Sequence, residues 1–547
     1  MKFPFFTGLH KAYGWILLMS MAGYWPLFAQ AQTQETAQKV ANSTLTGELL
    51  YEILLGELNL RQGEPGAGFS LLLDAARRSN DIELFNRAVD IALQARSGDG
   101  ALMAARAWSQ AYPQDRKANL QVLQILLALN QTTESLEPLK KEIALAPLPE
   151  RAVAISLIPR YYNRVTDKKL ALDVVQKALT PYLQTSTTAA AAWTALGHMR
   201  GFADDLAGSL EAAQKGRSAD PSALGPAMLA VELMTRKVNG AEALVVQAVR
   251  QQGSPELSMS YAQALIELGR YPDANTLLQD TTTRFPLHAP AWLILGSLQF
   301  EQGLDAFSEV SLKRYVDLAS QDTSQDATRS IMQAQTRRAA LLARQGKLKD
   351  ARELIAQLPA KDEQELRSRL MAEVQLLRDQ RQWQAAFEVL ASAQSDEPDL
   401  VYEQAMLAEK LNRLDEMERL LRLVIAKDPA YHNAYNALGF SLADRNLRLP
   451  EAKALILKAL TFVPNDPFIT DSLGWVEFRL GDLPSALQHL QKAYANRADA
   501  EIAAHLGEVL WQLNRREDAR KIWREGMRSA PDNETLQETL QRLKPEL

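Results

Sequence analysis

The chain of 547 residues contains no cysteine. That excludes disulfides, thiolate metal sites, cysteine catalysis and a cysteine-linked lipid anchor. Histidine is scarce: His10, His198, His288, His432, His489 and His505, none in H-E-x-x-H or another ligand spacing. No G-x-S-x-G elbow and no G-x4-G-K-[ST] loop occurs, so neither an activated serine nor a phosphate cradle is signalled. Gly63-Glu64-Pro65-Gly66-Ala67-Gly68 is rich in glycine, but it follows a helical pattern rather than a strand and reads as a helix–helix turn. The paired carboxylates Asp204-Asp205 and Asp362-Glu363 lie in polar, turn-like segments where solvated charge is the default. There is no basic excess either. Lys+Arg number 61 against 66 Asp+Glu, for a net charge of −5, which gives no pull on nucleic acid or an anionic membrane. The expectation is a chain that is not an enzyme, with no metal site and no cofactor.

Apolar runs of near-spanning length are confined to the N-terminus. Lys2, His10 and Lys11 precede an apolar stretch from Tyr13 to about Phe28, and Ala29-Gln30-Ala31 supplies a small-x-small site before Gln32. This is the layout of a signal peptide over residues 1–31, cleaved after Ala31. As an uncleaved anchor it falls short of the ~20 apolar residues a spanning helix needs, and Gly23 and Pro26 interrupt it. Loss of Lys2 and Lys11 would leave a net charge of −7. The expected location is therefore the periplasm of a Gram-negative cell, with outer-membrane association left open. Residues 32–45 are polar and read as a linker.

What is abundant is alanine and leucine at helical spacing, and β-branched runs are few. From Glu48 the period begins with Leu49, Leu50, Ile53 and Leu54, then Leu58 and Leu60, followed by Phe69, Leu72 and Leu73 on a second helix. At the other end, Tyr435–Pro531 repeats one pattern three times. Leu-Gly occurs at Gly439, Gly474 and Gly507, alanine follows at Ala452, Ala486 and Ala519, and Pro464 and Pro531 close the first and third copies. Trp193-Thr194-Ala195-Leu196-Gly197 and Trp292-Leu293-Ile294-Leu295-Gly296 carry the same phrase upstream. Turn glycines at Gly269, Gly303, Gly346 and Gly481, and alanines at Ala274, Ala351 and Ala386, hold matching places. Prolines at 221, 286, 398, 429, 464 and 531 include spacings of 65, 31, 35 and 67. These are close to one or two units of about 34 residues.

The pattern resembles the tetratricopeptide repeat (TPR), W-x2-L-G-x2-Y, then A-x3-F, then P. The resemblance implies an all-α fold: a right-handed α-solenoid of about a dozen helix–turn–helix units. Small residues let helices approach, large apolar ones fill the remainder, and proline ends the second helix. Units would run over 46–320 and 331–531, with a polar connection at 321–330 and a capping helix over 532–547. Residues 117–181 fit the pattern poorly, and Thr180–Ala190 reads as a second irregular connection. Met417 stands where the small alanine is expected. The stripe Leu536, Leu540 and Leu543 suits a cap with a polar outer face.

A TPR superhelix lines its inner wall with the second, fifth, ninth and twelfth positions of each first helix. Carried onto the C-terminal copies, that register gives Asn433, Asn436 and Phe440, then Asp471, Trp475 and Phe478, then Glu508 and Trp511. Aromatics supply large contact area at small entropy cost, and asparagine can pair with a peptide backbone. These eight are the candidate partner-binding residues. Trp523 and Leu490 are expected in the core. The Lys/Arg set that grips a free C-terminal carboxylate in chaperone-binding TPR domains is missing from these three copies.

The phrases NAYNALGFSLADRNLRLPEAKALILKAL, DSLGWVEFRLGDLPSALQHLQKAY and AEIAAHLGEVLWQLNRREDARKIWREGM, with the opening LTGELLYEILLGELNLRQGEP, look like the repeats of exported proteobacterial TPR proteins. Members of that group include outer-membrane lipoproteins that act as adaptors of a periplasmic carboxyl-terminal processing protease controlling cell-wall hydrolases. Without cysteine this chain has no lipobox. The resemblance implies a non-catalytic scaffold or adaptor whose groove takes a protein partner, such as a periplasmic protease or cell-wall hydrolase. The alternative is a structural component of an envelope secretion or polysaccharide assembly and export complex.

Overall fold

A computed structural model describes residues 46–544. The proposed signal peptide (1–31), the linker (32–45) and the last three residues of the cap segment lie outside the described residues. Helix covers most of what is described, and no strand occurs among those residues. The expected all-α fold is what forms. The chain divides into two compact units, one reaching Arg337 and one beginning at Arg338.

In the first unit helices pair into antiparallel hairpins, such as Ala189–Phe202 with Leu206–Ala219 and Ala289–Glu301 with Asp305–Ala319. The two W-x2-L-G phrases open such pairs, and their glycines are where the helices meet. A Cβ on Gly296 would stand 2.7 Å from Leu312 Cγ. The poorly fitting stretch 117–181 is helical but broken. Short 3-10 turns at Thr132–Ser135 and Leu148–Glu150 and the short helices Arg151–Ser156 and Ile158–Tyr162 replace full pairs. Pro159 sits in the first turn of the latter, where it cannot continue the preceding helix. The core closes around fully buried Tyr162, whose hydroxyl lies 2.7 Å from Ser135 Oγ.

The opening helix Gly47–Arg61 differs from the rest. Of its leucine series only Leu49 is buried, while Leu50, Leu54 and Leu58 are exposed. Among the described residues no helix precedes it to cover that face. The polar connection expected at 321–330 is a loop only as far as Ser324, and Gln325–Arg344 is helix. Ser324 Oγ accepts from the Ala327 N–H, so the polar composition there is helix-capping chemistry. Thr180–Ala190 is a 3-10 turn at Thr180–Tyr182, then turns, with helix resuming at Ala189.

The second unit ends in three such pairs: His432–Asp444 with Leu449–Phe462, Pro467–Arg479 with Leu483–Asn496, and Ala500–Gln512 with Arg516–Ser529. Asp466 and Asp499 cap the second and third first-helices by accepting backbone N–H bonds. Gly481 ends one first helix at φ 86°, and Asn446 and Asn514 take the same left-handed turn in the flanking copies at 57° and 60°. Asparagine is the residue that best replaces glycine there. The alanines at 452, 486 and 519 are fully buried, as are Trp523 and Leu490. Met417 is buried at its alanine position as well. The cap, Glu534–Leu543, buries Leu536 and Thr539 against the unit, with Leu540 and Leu543 partly buried beside them.

Candidate functional site

The first helices of the last three pairs are each pressed onto their partners at one glycine. A Cβ on Gly439 would lie 2.6 Å from Ile456 Cγ1 and 2.9 Å from the Ala452 carbonyl oxygen. On Gly474 it would meet Leu490 at 2.6 Å, and on Gly507 the Trp523 indole at 2.1 Å. This contact fixes the rotation of each helix and so decides which side chains reach the inner side.

The expected wall was open; the structure buries most of it. Asn436 is 0% exposed, Phe440 4%, Asp471 5%, Trp475 5% and Glu508 3%, while Asn433, Phe478 and Trp511 are half-buried. The reason is mutual packing. The Trp475 ring stacks on His505 of the next copy with centroids 4.3 Å apart, Phe440 lies 5.7 Å from the same imidazole, and Phe478 lies 5.1 Å from Trp475. Trp511 packs on Trp523 at 5.5 Å and carries the Arg516 guanidinium 4.2 Å above its ring.

Inside this aromatic layer lies a polar cluster. His505 Nδ1 is 2.9 Å from Asp471 Oδ2, with both side chains buried. Burial works against protonating the imidazole, but the Asp471 carboxylate, by charge and hydrogen bond, and Glu501 outweigh it, so its pKa is raised. Glu501, one helical turn before His505, is pushed up to about 7, chiefly by burial and further by Asp471, with His505 opposing. Trp475 Nε1 donates to Asp444 at 3.3 Å, and Arg479 donates to the Ala443 and Asp444 carbonyls. Glu508 is not a wall contact. It accepts two bonds from Arg542 of the cap, at 2.7 and 2.5 Å.

Asn436 stands apart. Its side-chain nitrogen and oxygen are both buried and have no hydrogen-bond partner among the described residues. Asn433, one turn earlier, keeps access to solvent.

Sequence reasoning missed His505, Glu501 and Arg542. His505 stands 34 residues after Asp471, one repeat period. The register set by Gly507 places Glu501 at the second position, where it went unused, and Ala504 at the fifth, which leaves His505 just off the wall. The available signal was a titratable side chain in a helix otherwise apolar from Ile502 to Gly507.

Two segments, residues 259–323 and 472–534, match the family model described as tetratricopeptide repeat. These segments are tetratricopeptide repeats. The second holds the Asp471–His505 neighbourhood from residue 472 on, so most of the cluster sits on TPR helices. A TPR repeat-containing protein from Pseudomonas aeruginosa is 48% identical over 129 residues, which cover 24% of this chain and 22% of that protein. The aligned part is thus under a quarter of either chain. Among solved structures, the chain is similar to a chain in the crystal structure of the APC/C hetero-tetramer Cut9–Hcn1, at 13% identity and a TM-score of 0.33, covering 91% of this chain and 96% of that one. It is also similar to MamA from Desulfovibrio magneticus RS-1, at 15% identity and a TM-score of 0.26, covering 30% of this chain and 95% of that one.

Proposed function

We propose that the chain is a non-catalytic protein–protein interaction scaffold whose C-terminal TPRs receive a segment of a protein partner at Asn433, Asn436, Phe440, Asp471, Trp475, Phe478 and Trp511. Repeats of this kind imply protein partners, and one observation carries the choice of wall. The Asn436 amide is wholly buried with neither its donor nor its acceptor used. Such a group carries a desolvation cost of about 1–3 kcal/mol, which a peptide backbone removes by offering one carbonyl and one N–H. The rings of Phe440, Trp475, Phe478 and Trp511 supply apolar contact around it. Because Phe440 and Trp475 are nearly closed to solvent, binding begins with a local parting of repeats. Each repeat contacts only its neighbours, so this costs less than unfolding the unit.

The finer reading is an exported adaptor that brings a cell-wall hydrolase to a periplasmic carboxyl-terminal processing protease. The signal-peptide layout of residues 1–31 and the resemblance of the end repeats to such adaptors support it. The test is capture from periplasm on the immobilised chain from Gln32 onward. A protease or cell-wall hydrolase should be recovered, and Trp475→Ala with Trp511→Ala should lose it. Recovery of no protein in repeated captures sinks this reading.

Asn436→Leu separates binding from folding. With the unpaired amide gone, thermal stability should hold or rise while capture falls. A lower Tm would show that the amide is needed by the fold and not by a partner.

A further inference from the structure

A second site lies in the first unit, far in sequence from the C-terminal wall. Helices Leu206–Ala219 and Ala241–Gln252 are the second helices of consecutive pairs. Between them runs an open cleft of about 1090 Å³, lined by Gln214, Arg217, Leu224, Leu244, Gln247 and Gln251 among others. Its size is just above the range of about 300–1,000 Å³ for small-molecule sites, and it is open to solvent, which suits a length of chain better than a compact ligand.

Arg217 is the unusual member. It is only 6% exposed, yet no carboxylate of the described residues lies within ion-pair distance of it. Its two terminal nitrogens donate to neutral acceptors, the Pro221 carbonyl at 2.8 Å and Gln251 Oε1 at 2.7 Å. The nearest acid in sequence, Asp220, is committed to Ser222, accepting from its N–H at 2.8 Å and its hydroxyl at 2.6 Å. Glu256, at the cleft edge, accepts from Ser254 Oγ at 2.6 Å. Other arginines of the chain meet acids, as Arg378 meets Glu403 and Arg116 meets Glu142, or, like the half-buried Arg151 and Arg479, bond backbone carbonyls; Arg217 differs in being buried. Burial lowers the Arg217 pKa, with Asp220 only partly opposing. A buried guanidinium held by neutral acceptors is incompletely compensated, and it still has N–H donors unspent by these two bonds.

We propose that this cleft binds an extended segment of a partner protein through an acidic side chain on Arg217. The exposed amides of Gln214 and Gln247 bond the segment's backbone on either side, and Leu224 and Leu244 offer apolar surface for a flanking residue. The fork of a guanidinium matches a carboxylate in two parallel bonds. The site is independent of the inner wall: it uses the second helices of its pairs, and neither Asn436 nor Trp475 takes part.

The test uses the full chain and three pools of acetylated, fluorescein-labelled hexapeptides with randomised flanks. One pool has a fixed central Glu and an amidated end, the second a central Gln and an amidated end, and the third a central Gln and a free carboxylate. Fluorescence anisotropy should favour the first over the second by about tenfold or more. Arg217→Gln should remove the preference. Since Arg217 is buried, Gln247→Glu serves as a second variant: residue 247 is exposed, so the fold stands, and the new carboxylate should weaken the Glu pool by about tenfold. Equal binding of the first two pools, or indifference to Gln247→Glu, overturns the proposal. Preference for the third pool overturns the assignment to an acidic side chain. Trp475→Ala should leave all three affinities unchanged, so a failure here is separable from a failure at the inner wall.

Discussion

The Asp471 carboxylate and the His505 imidazole, one repeat apart in sequence, meet at 2.9 Å on neighbouring first-helices with both side chains closed to solvent. Such a pair ties one repeat to the next. Removing one member leaves the other buried without compensation, which typically costs about 3–5 kcal/mol. Asp471→Leu should therefore lower the thermal midpoint of the C-terminal unit sharply. The double variant with His505→Leu should recover part of the loss, because two apolar side chains leave no stranded charge. Thermal denaturation followed by circular dichroism measures both. Additive losses would show that the pair is not coupled.

The same cluster sets a pH dependence. Burial pushes the Glu501 carboxyl from its ordinary 4.5 up to about 7 in the fold, so the fold favours its protonated form. That contribution is complete below about 4.5 and is lost as pH rises through about 7. His505 is also raised. Its contribution is present below 6.5 and is lost as pH passes its folded value, so both groups act in one direction. Asp471, Asp444 and Asp499 are the other acids that face the two groups. Stability of the C-terminal unit should be greater at pH 5 than at pH 8 by roughly 1–3 kcal/mol. Denaturant midpoints at the two pH values test this, and Glu501→Gln should remove much of the difference. A midpoint that rises toward pH 8 would overturn it.

The turn and packing residues were legible in sequence for a simple reason: their roles are local and recur with the period. Gly481, Ala452, Ala486 and Ala519 stand where the repeat needs a left-handed turn or a close approach. Trp523 and Leu490 fill the core as expected. The wall was read less well. Periodicity says which side of a helix a residue occupies, but not how closely the neighbouring wall residues pack. So Phe440 and Trp475 looked available although they are nearly closed to solvent. Glu508 looked like a groove acid because its partner, Arg542, is 34 residues on in the cap, a distance no local pattern reports. Arg217 gave no motif at all. Its interest arises from what it does not pair with, and that exists only in three dimensions.

Gly507 offers a cleaner test of the packing logic. A methyl group there would meet the Trp523 indole at 2.1, 2.4 and 2.6 Å, and Trp523 is fully buried with no room to retreat. Overpacking of this kind costs about 1–3 kcal/mol or more, which outweighs the gain of up to about 1 kcal/mol in helix propensity from glycine to alanine. Gly507→Ala should destabilise the last repeat, seen as a lower midpoint and a shifted tryptophan emission. Gly507→Ala with Trp523→Phe should be milder than Gly507→Ala alone, because the smaller ring frees space at the contact. If Gly507→Ala is neutral, the close approach is not what the Leu-Gly phrase serves.

The cap gives a prediction of opposite character. Glu508 has a buried side chain, whereas its partner Arg542 is half exposed. Arg542→Ala strands a buried carboxylate, but water can approach from the side the arginine vacates. The loss should fall below that of a fully buried pair, about 1–2 kcal/mol. Glu508→Gln should cost less still, since an amide oxygen can keep one bond to Arg542 without a buried charge. Truncation before Glu534 is different in kind. It uncovers Leu536's packing site beside Trp523 and removes the partner of Glu508 at once, so the last repeat should fray. Hydrogen exchange would show this as lost protection over Ala500–Ser529 while His432–Asp444 stays protected. Equal loss across both regions would mean that the C-terminal unit unfolds as one block and not repeat by repeat.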